Sequence, residues 1–396
     1  MDASRSAIRA LLFGNFAIGA GVMVVPGMLG DLALGLAVSV PTAGQLITLG
    51  AFVTCVGAPL SAALTSRIDR RALLAGALLF YAVGHLACAL APGYAWLAPL
   101  RALTVVSAAI FTPQAAATIA LIVPPAERSR AVSAIFVGWS IASVLGLPIG
   151  NLLGAYAGWR WGFGAASLLA AVAAWWVTRT IPRGLVAPAL SAAAWRAVAG
   201  SRLLLGVLAV TLLSAAGQFT LFAYVAPALK AATQASASTT AALLGLFGVF
   251  GVIGNMWTAR HIGRRGADRA VSASLAAILV GVGFAMAVTL ALAPGLLPAA
   301  VAPAAVWTLL LAACLSWGLG CFAMNSAQQA RLAGIAPALA SASIALNTSG
   351  MYGGQAIGAA LGGGLIATLG MAALPWAAAA LLGATWWLSS RLRTER

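Results

Sequence analysis

Long apolar runs separated by short polar loops make up almost the whole chain. A helix needs about 20 mostly apolar residues to cross the hydrocarbon core of a bilayer, and twelve runs reach that length. A membrane barrel would instead show strands of roughly ten residues with alternating apolar and polar positions, and no such alternation occurs. The pattern therefore predicts an all-α membrane protein with twelve transmembrane helices. The predicted spans cover residues 8–30, 44–65, 72–91, 95–123, 131–156, 159–179, 203–229, 239–259, 270–293, 303–330, 340–368 and 371–390.

The composition supports a membrane protein and argues against a nucleic-acid-binding protein. Of the 396 residues, 62% are hydrophobic and 7% are charged, whereas about one quarter of a soluble domain is charged. The net charge of +16 does not indicate a nucleic-acid partner, because the basic residues are spread over short loops and not gathered on one soluble domain. The first apolar run is too long for the core of a signal peptide. We therefore predict a permanent first span and a lipid bilayer as the surroundings.

The basic residues also predict how the chain is oriented. If the N-terminus is cytoplasmic, all but three of the 22 Lys and Arg residues fall on the cytoplasmic side. The exceptions are Arg101, which lies within a span, and Arg160 and Lys230, which lie at the opposite surface. Because loops rich in Lys and Arg stay in the cytoplasm, the bias predicts a multi-pass protein with both termini cytoplasmic.

The longest stretch between spans divides the chain into two halves. It reads "TIPRGLVAPALSAAAWRAVAGSR" and has six predicted spans on each side. This division predicts an N-terminal six-helix bundle over 1–179, a cytoplasmic linker over 180–202 and a C-terminal six-helix bundle over 203–396.

Two sequence patterns recur at equivalent places in the two halves. The pattern G-x-x-I-G-x-x-x-G begins at Gly146 in span five and at Gly354 in span eleven, and the basic loops "TSRIDRR" (65–71) and "TARHIGRR" (258–265) follow spans two and eight. Small residues at every fourth position let two helix backbones approach closely in lipid, and Pro148 invites a bend. We therefore expect pseudo-symmetric bundles whose glycine faces lie at the seam between them. The residues expected to bend or pack these helices are Gly146, Pro148, Gly150, Gly154, Gly354, Gly358 and Gly362.

Together these features resemble the major facilitator superfamily (MFS), and within it the bacterial twelve-span efflux branch of drug:proton antiporters and sugar-efflux permeases. The resemblance covers nearly the whole chain. Its motifs are "GAPLSAALTSRIDRR" (57–71), the arginine of "LRALTVV" (Arg101), "VLGLPIGNLLGAYAGWRWGF" (144–163), "GQFTLFAYVAP" (217–227) and "SWGLGCFAMNSAQQARL" (316–332).

The chain departs from this branch at two places. The family's first loop motif has an aspartate where this chain has Ser66, although Asp69 follows closely. Span one of proton-coupled relatives carries a mid-membrane carboxylate, whereas this chain has Ala20, Gly21, Val22 and Met23 there. Proton coupling is therefore left open by the sequence.

The resemblance implies a secondary transporter of the bacterial cytoplasmic (inner) membrane that works as a monomer. It implies export, by alternating access, of a small amphipathic or weakly polar solute such as a drug or metabolite, with protons as a further partner if transport is coupled. An uncoupled facilitator or an importer is the first alternative. A ligand-binding sensor built on the same scaffold is the second.

Two ionisable groups, Asp31 and Arg101, could take part in coupling, and a third, His85, lies within a span. Asp31, at the outer end of span one, could accept a proton or pair with Arg101, or it could merely solvate the end of its helix. Arg101 lies within span four, where an ionised side chain is costly unless it is paired or faces a watery cavity; it could instead extend to the membrane surface. His85 in span three could titrate near neutral pH, or it could simply pack.

By the resemblance, spans one, four, seven and ten line a central cavity. Polar and aromatic side chains on them would form a mostly apolar pocket with a few hydrogen-bonding groups, although each polar group could instead join neighbouring helices. The candidates are Asn15, Arg101, Gln114, Gln218, Phe222, Tyr224, Trp317, Asn325 and Gln328, with Trp139 on span five and Asn347 and Gln355 on span eleven.

The basic loops after spans two and eight form two candidate gates. Their charge sets topology, and the resemblance implies that they also bridge the bundles when the cytoplasmic mouth is closed. The gate candidates are Gly57, Arg67, Asp69, Arg70, Arg71, Arg260, Arg264 and Arg265.

No pattern indicates an enzyme, a metal site or a cofactor. An intramembrane enzyme needs paired carboxylates, a metal cluster or an activated nucleophile, and none of the six acids lies in the middle of a span. The phosphate-binding pattern G-x-x-x-x-G-K-[ST] of ATP-driven pumps does not occur. Cys55, Cys88, Cys314 and Cys321 lack metal-ligand or disulfide spacing and are expected to pack.

Overall fold

The computed structural model describes residues 2–65, 67–124, 127–186, 192–292 and 302–392, and within these ranges the regular structure is helical. Ser66, Arg393, Arg396 and the middle of the predicted linker lie outside the described residues. Two short 3-10 helices, Pro337–Leu339 and Met371–Ala373, precede the last two α-helices. The α-helices are α1 (Asp2–Gly27), α2 (Leu29–Gly35), α3 (Val40–Leu64), α4 (Arg70–Leu90), α5 (Tyr94–Thr104), α6 (Val106–Ile122), α7 (Arg128–Tyr156), α8 (Trp159–Thr180), α9 (Ala192–Gly200), α10 (Arg202–Phe222), α11 (Val225–Thr233), α12 (Ala237–Arg265), α13 (Ala267–Ala291), α14 (Ala302–Ile335), α15 (Ala340–Leu369) and α16 (Leu374–Arg391).

The predicted helical membrane fold is confirmed. Among the described residues, eleven helical segments are long and apolar enough to cross a membrane. Helix α15 matches the remaining predicted span in position but is not among the eleven. Its many glycines, together with Asn347 and Gln355, make it less apolar than the others.

Three predicted spans are interrupted. Span one ends at Gly27 and continues as the short α2, span four breaks at Val105, and span seven ends at Phe222 before α11. The last break has a clear cause, because the ring of Pro227 would clash with the carbonyl four residues earlier, at Ala223. Pro227 therefore favours a break at this position, although a proline inside a helix does not always interrupt it, as Pro148 in α7 shows.

The chain forms two compact units. The first contains Met1–Ser39 and Leu49–Ser191, and the second contains Val40–Thr48 and Ala192–Arg396. The predicted linker contains helix α9. This helix is held because its Val198 is buried in a small apolar cluster with Leu204, Val207 and Leu332.

The two units repeat one packing pattern. In the first unit α1 packs against α7 and α8, and α4 packs against α8; in the second, α10 packs against α15 and α16, and α13 packs against α16. The turns that lead into α8 and α16 both contain a glycine with positive φ, +93° at Gly158 and +83° at Gly370. Side-chain-bearing residues rarely adopt this conformation.

The glycine faces of α7 and α15 pack within each unit. A Cβ atom on Gly150 would lie 2.8 Å from the carbonyl oxygen of Val24, and one on Gly358 would lie 2.3 Å from that of Ala216. The prediction that these glycine faces lie at a seam between the bundles was therefore wrong. The small residues let α7 approach α1, and α15 approach α10, backbone to backbone. Helix α7 continues through Pro148 without interruption. Gly354 and Gly362 approach backbone carbonyl oxygens of α10 equally closely, whereas Gly146 and Gly154 lie against the Cβ atoms of Met23 and Met28.

Candidate functional site

Arg101 lies at the centre of a buried polar cluster in the first unit. Its side chain is only 3% exposed. Nη1 lies 3.0 Å from Nε2 of His85, and Nη2 donates a hydrogen bond of 3.0 Å to the carbonyl oxygen of Gly21. Arg101 therefore joins α5 to both α4 and α1, and its charge is held inside the unit instead of extending to the membrane surface.

Arg70 and Gln114 are hydrogen-bonded to each other, although the sequence analysis placed Arg70 in a gate and Gln114 in the cavity. Nη1 of Arg70 donates to Oε1 of Gln114 at 2.5 Å, and Nη2 donates to the carbonyl oxygen of Thr65. Arg70 is 1% exposed, so it differs from the other arginines of its loop. The contact fastens the start of α4 to α6.

Asn15 and Trp139 lie where α1 meets α7. Asn15 is fully buried, and its Nδ2 donates to the carbonyl oxygen of Ile135 at 3.2 Å. A Cβ atom on Gly19 would come within 3.1 Å of the Trp139 ring. Both candidates therefore contribute to the contact between these two helices.

In the second unit, the candidates Asn325, Gln328 and Asn347 form one hydrogen-bond network with Thr211. Thr211 donates to Oδ1 of Asn347 at 2.6 Å, and Nδ2 of Asn347 donates to Oδ1 of Asn325 at 3.1 Å. Nε2 of Gln328 donates to Thr211 Oγ1 at 3.0 Å. Asn347 and Gln328 are fully buried, so the network joins α10, α14 and α15 across the unit's interior.

A cluster of aromatic rings lies beside a single amide in the same unit. Nε1 of Trp317 donates to Oε1 of Gln218 at 3.1 Å, which links α14 to α10. The Trp317 ring meets Phe222 and Phe247 edge-on, with centroid distances of 6.0 and 5.3 Å. Phe322 extends the cluster beyond Phe247. Trp317, Phe222, Phe247 and Gln218 are all buried, and Nε2 of Gln218 also donates to Ser214 Oγ at 3.3 Å. The cluster is therefore apolar and aromatic, with one side-chain amide among its rings.

The other candidates lie in separate places. Tyr224 is buried and donates to the carbonyl oxygen of Ala359 at 2.7 Å, so it fixes the break between α10 and α11. Asp31 lies in the first turn of α2, beside Gly154. Gln355 is partly buried on α15.

The two basic loops are mostly exposed. Arg67 is exposed and Arg71 partly so, and the counterparts Arg260, Arg264 and Arg265 are exposed in the last turns of α12. Cations at the C-terminus of a helix are favoured by the helix dipole. Gly57 lies against α6, where a Cβ atom would be 3.1 Å from that of Ala109.

Asp69 connects its loop to the start of the predicted linker. Oδ1 accepts from the backbone N–H of Ala72 at 3.0 Å and caps α4, while Oδ2 accepts from that of Gly184 at 2.6 Å. The Arg70 N–H also donates to the carbonyl oxygen of Leu185 at 2.8 Å. The N–H of Ala72, and then that of Gly184, hold the pKa of Asp69 below its ordinary value of 3.8, although partial burial acts in the opposite direction.

Replacing Asp69 by alanine should release this end of the linker. We expect faster hydrogen–deuterium exchange at the amide of Gly184, because that N–H loses its acceptor. Since folding lowers the pKa of Asp69, the stabilising contribution is present above pH 3.8 and is lost as the pH falls through the lowered pKa. The exposed Arg67→Ala in the same loop is the matched control. Unchanged exchange at Gly184 in Asp69→Ala would contradict this role.

A buried ion pair escaped the sequence analysis. Nε of Arg331 lies 2.5 Å from Oδ1 of Asp268, and the two side chains are 2% and 5% exposed. Nη1 of Arg331 also donates to Ser389 at 3.2 Å, and Nη2 donates to the carbonyl oxygen of Leu392 at 2.7 Å. The site fastens α13 and α14 to the end of α16. Both charges lie near span ends, where charge also sets topology, so their pairing left no separate sequence signal.

Comparisons with known proteins identify the fold and the family. The family model of the Major Facilitator Superfamily matches residues 11–294. Over 375 residues the chain is 31% identical to the inner membrane transport protein YdhP of Escherichia coli O157:H7. The aligned region covers 94% of this chain and 92% of YdhP. Over 216 residues it is 34% identical to a chloramphenicol resistance protein of Streptomyces lividans, covering 53% and 55% of the two chains.

A solved structure shows the same architecture. The D-xylose–proton symporter superposes with a TM-score of 0.73 at 16% identity, covering 97% of this chain and 96% of the symporter. At that identity the likeness concerns the fold alone. The family match and the extent of the similarity to YdhP decide the classification: this chain belongs to the Major Facilitator Superfamily and is a multi-pass inner-membrane protein.

Proposed function

We propose that this transporter exports a small, uncharged, amphipathic or weakly polar solute by alternating access, with both termini in the cytoplasm. Transporters of this superfamily bind solute near the bilayer midplane, between two rocking halves. The similarity to a chloramphenicol resistance protein supports outward transport of a small solute. The basic loops support the orientation.

The aromatic cluster around Trp317 is the observation that supports this solute class. Ligand sites are usually apolar with a few fixed polar groups, and Gln218 beside Trp317, Phe222 and Phe247 has this character. Aromatic faces attract the apolar side of an amphipathic solute. The amide of Gln218 can exchange its bond to Trp317 for a bond to the solute.

The charges of the protein support an uncharged solute. A cationic drug would favour a carboxylate within the membrane, and the acids lie elsewhere in the sequence. Asp268 is paired with Arg331. Arg101, which could attract an anion, is already bonded to His85 and Gly21.

Trp317 is expected to contribute strongly to transport. A thermal-shift screen of purified protein against drugs, sugars, nucleosides and amino acids, beginning with chloramphenicol, selects the solute. Trp317→Ala should then lower its export from efflux-deficient cells by about tenfold, because the loss of stacking and one hydrogen bond is worth about 1–3 kcal/mol. Trp317→Phe, which keeps a ring, should be intermediate.

The exposed Trp387 on α16 provides the matched control, and Trp387→Ala should export normally. Export by Trp317→Ala at the parent rate would overturn the assignment of the solute site to this aromatic cluster. Binding without any flux would favour the sensor alternative, and flux that only equilibrates the solute would favour a facilitator.

A further inference from the structure

The contacts of His85 determine its protonation state in this structure. The ring is fully buried, with Nδ1 2.9 Å from the carbonyl oxygen of Tyr81 and Nε2 3.0 Å from Nη1 of Arg101. A carbonyl oxygen can only accept a hydrogen bond, so Nδ1 carries the hydrogen. A guanidinium can only donate, so Nε2 presents its lone pair. His85 is therefore neutral, and Arg101 occupies the one position where a proton could bind.

The same guanidinium holds three helices together. While Nη1 bonds to His85 on α4, Nη2 bonds to the carbonyl oxygen of Gly21 on α1. A Cβ atom at Gly21 would lie 2.8 Å from Nε2 of His85 and 2.6 Å from the Tyr81 hydroxyl. Glycine at this position is what lets the backbone of α1 reach the cluster. Any event that detaches Arg101 from His85 therefore also affects the contact with α1.

The helices around the ring contain few other titratable groups. On α4 itself Arg70 and Arg71 lie at the first turn, and the groups closer to the ring are Tyr81, whose hydroxyl donates to the carbonyl oxygen of Ile18, and Cys88, whose sulfur lies 3.9 Å from Thr104 Oγ1. From α8 the ring faces Phe163, and α5 contributes Arg101. The sequences of α4, α5, α6 and α8 contain no carboxylate, and α1 has only Asp2, at its first residue.

We infer that His85 is a proton-binding site of this transporter, at which a proton and Arg101 compete for Nε2. Protonation removes the lone pair and places a second cation 3.0 Å from the first, so Arg101 must leave. Its departure releases the carbonyl oxygen of Gly21, and its return expels the proton. The two events are thereby linked reciprocally. As a route to proton coupling, this inference rests on the proposed transport function.

Competition can be measured without any solute. The chain has two histidines, so nitrogen-15 histidine labelling gives two imidazoles, and the His261→Gln variant assigns the signals. We expect Arg101→Met to raise the proton affinity of the His85 ring at least tenfold in a pH titration by NMR, because removing a unit charge at this distance removes a substantial repulsion. An unchanged affinity, or a ring that stays neutral from pH 4 to 9 in both proteins, would overturn the inference.

A transport experiment tests the consequence for coupling. Glutamine at position 85 can still accept a bond from Arg101 but does not titrate. In proteoliposomes, His85→Gln should still exchange the screened solute across the membrane, but the accumulation driven by a pH gradient should fall at least tenfold. His261→Gln should behave as the parent. Gradient-driven accumulation by His85→Gln at the parent level would contradict the inference. Absence of solute flux in the parent would instead contradict the proposed function and leave the NMR result standing.

Discussion

Replacing Arg331 by alanine should destabilise the second unit by about 3–5 kcal/mol, because it leaves a buried carboxylate without its partner. Asp268 and Arg331 are almost completely buried, and their nearest atoms are 2.5 Å apart. Arg331 also holds the last turn of α16 through Ser389 and the carbonyl of Leu392. The expected result is a melting temperature several degrees lower in detergent, with earlier loss of the C-terminal helix.

The neighbouring Arg269 supplies a matched control. It follows Asp268 on α13 but is exposed, so Arg269→Ala should have the same melting temperature as the parent protein. Replacing both partners by apolar residues, as in Asp268→Leu with Arg331→Met, should recover much of the loss, since an apolar pair leaves no unpaired charge. Equal melting temperatures for Arg331→Ala and Arg269→Ala would show that the ion pair does not stabilise the unit.

Adding one methyl group to Gly358 should cost about 1–3 kcal/mol, the usual effect of overpacking. Its Cβ would lie 2.3 Å from the carbonyl oxygen of Ala216 and 2.9 Å from the backbone nitrogen of Thr220. Both atoms belong to the backbone of α10, which cannot rotate away as a side chain can. Gly358→Ala should therefore push α15 off α10, lowering the melting temperature and the yield of folded protein.

Gly364 on the same helix provides the comparison. A Cβ atom there meets nothing within 4 Å, and alanine favours helix over glycine by about 1 kcal/mol. Gly364→Ala should thus be neutral or slightly stabilising. If both substitutions change the melting temperature equally, close backbone packing of α15 on α10 is not what requires glycine at position 358.

More of the fold than of the candidate site could be predicted from the sequence. Apolar runs long enough to cross a bilayer leave few alternatives to a helix, so the spans and the family could be predicted from local patterns. The break in span seven was missed because hydropathy does not register the clash between Pro227 and the carbonyl four residues earlier. The hydropathy of α15 is lowered by the same glycines that let it approach α10.

The site depends on contacts between residues distant in sequence, which local patterns do not contain. Glycine spacing showed that α7 has a smooth face but not that α1 would cover it. Arg70 looked like its partly exposed neighbour Arg71, yet it is buried against Gln114, 44 residues away. His85 and Arg101 were each notable alone, but only the folded unit places their nitrogens 3.0 Å apart.

The most direct test of the account is solute accumulation in proteoliposomes containing the purified protein with its cytoplasmic face outward. The solute selected by the thermal-shift screen is supplied outside, and luminal solute is measured with an acidic lumen and with equal pH on both sides. The account predicts luminal accumulation above the external concentration when the lumen is acidic, and simple equilibration when the pH is equal. Retention limited to one solute per protein, or uptake that ends at equal concentrations under both conditions, would contradict it.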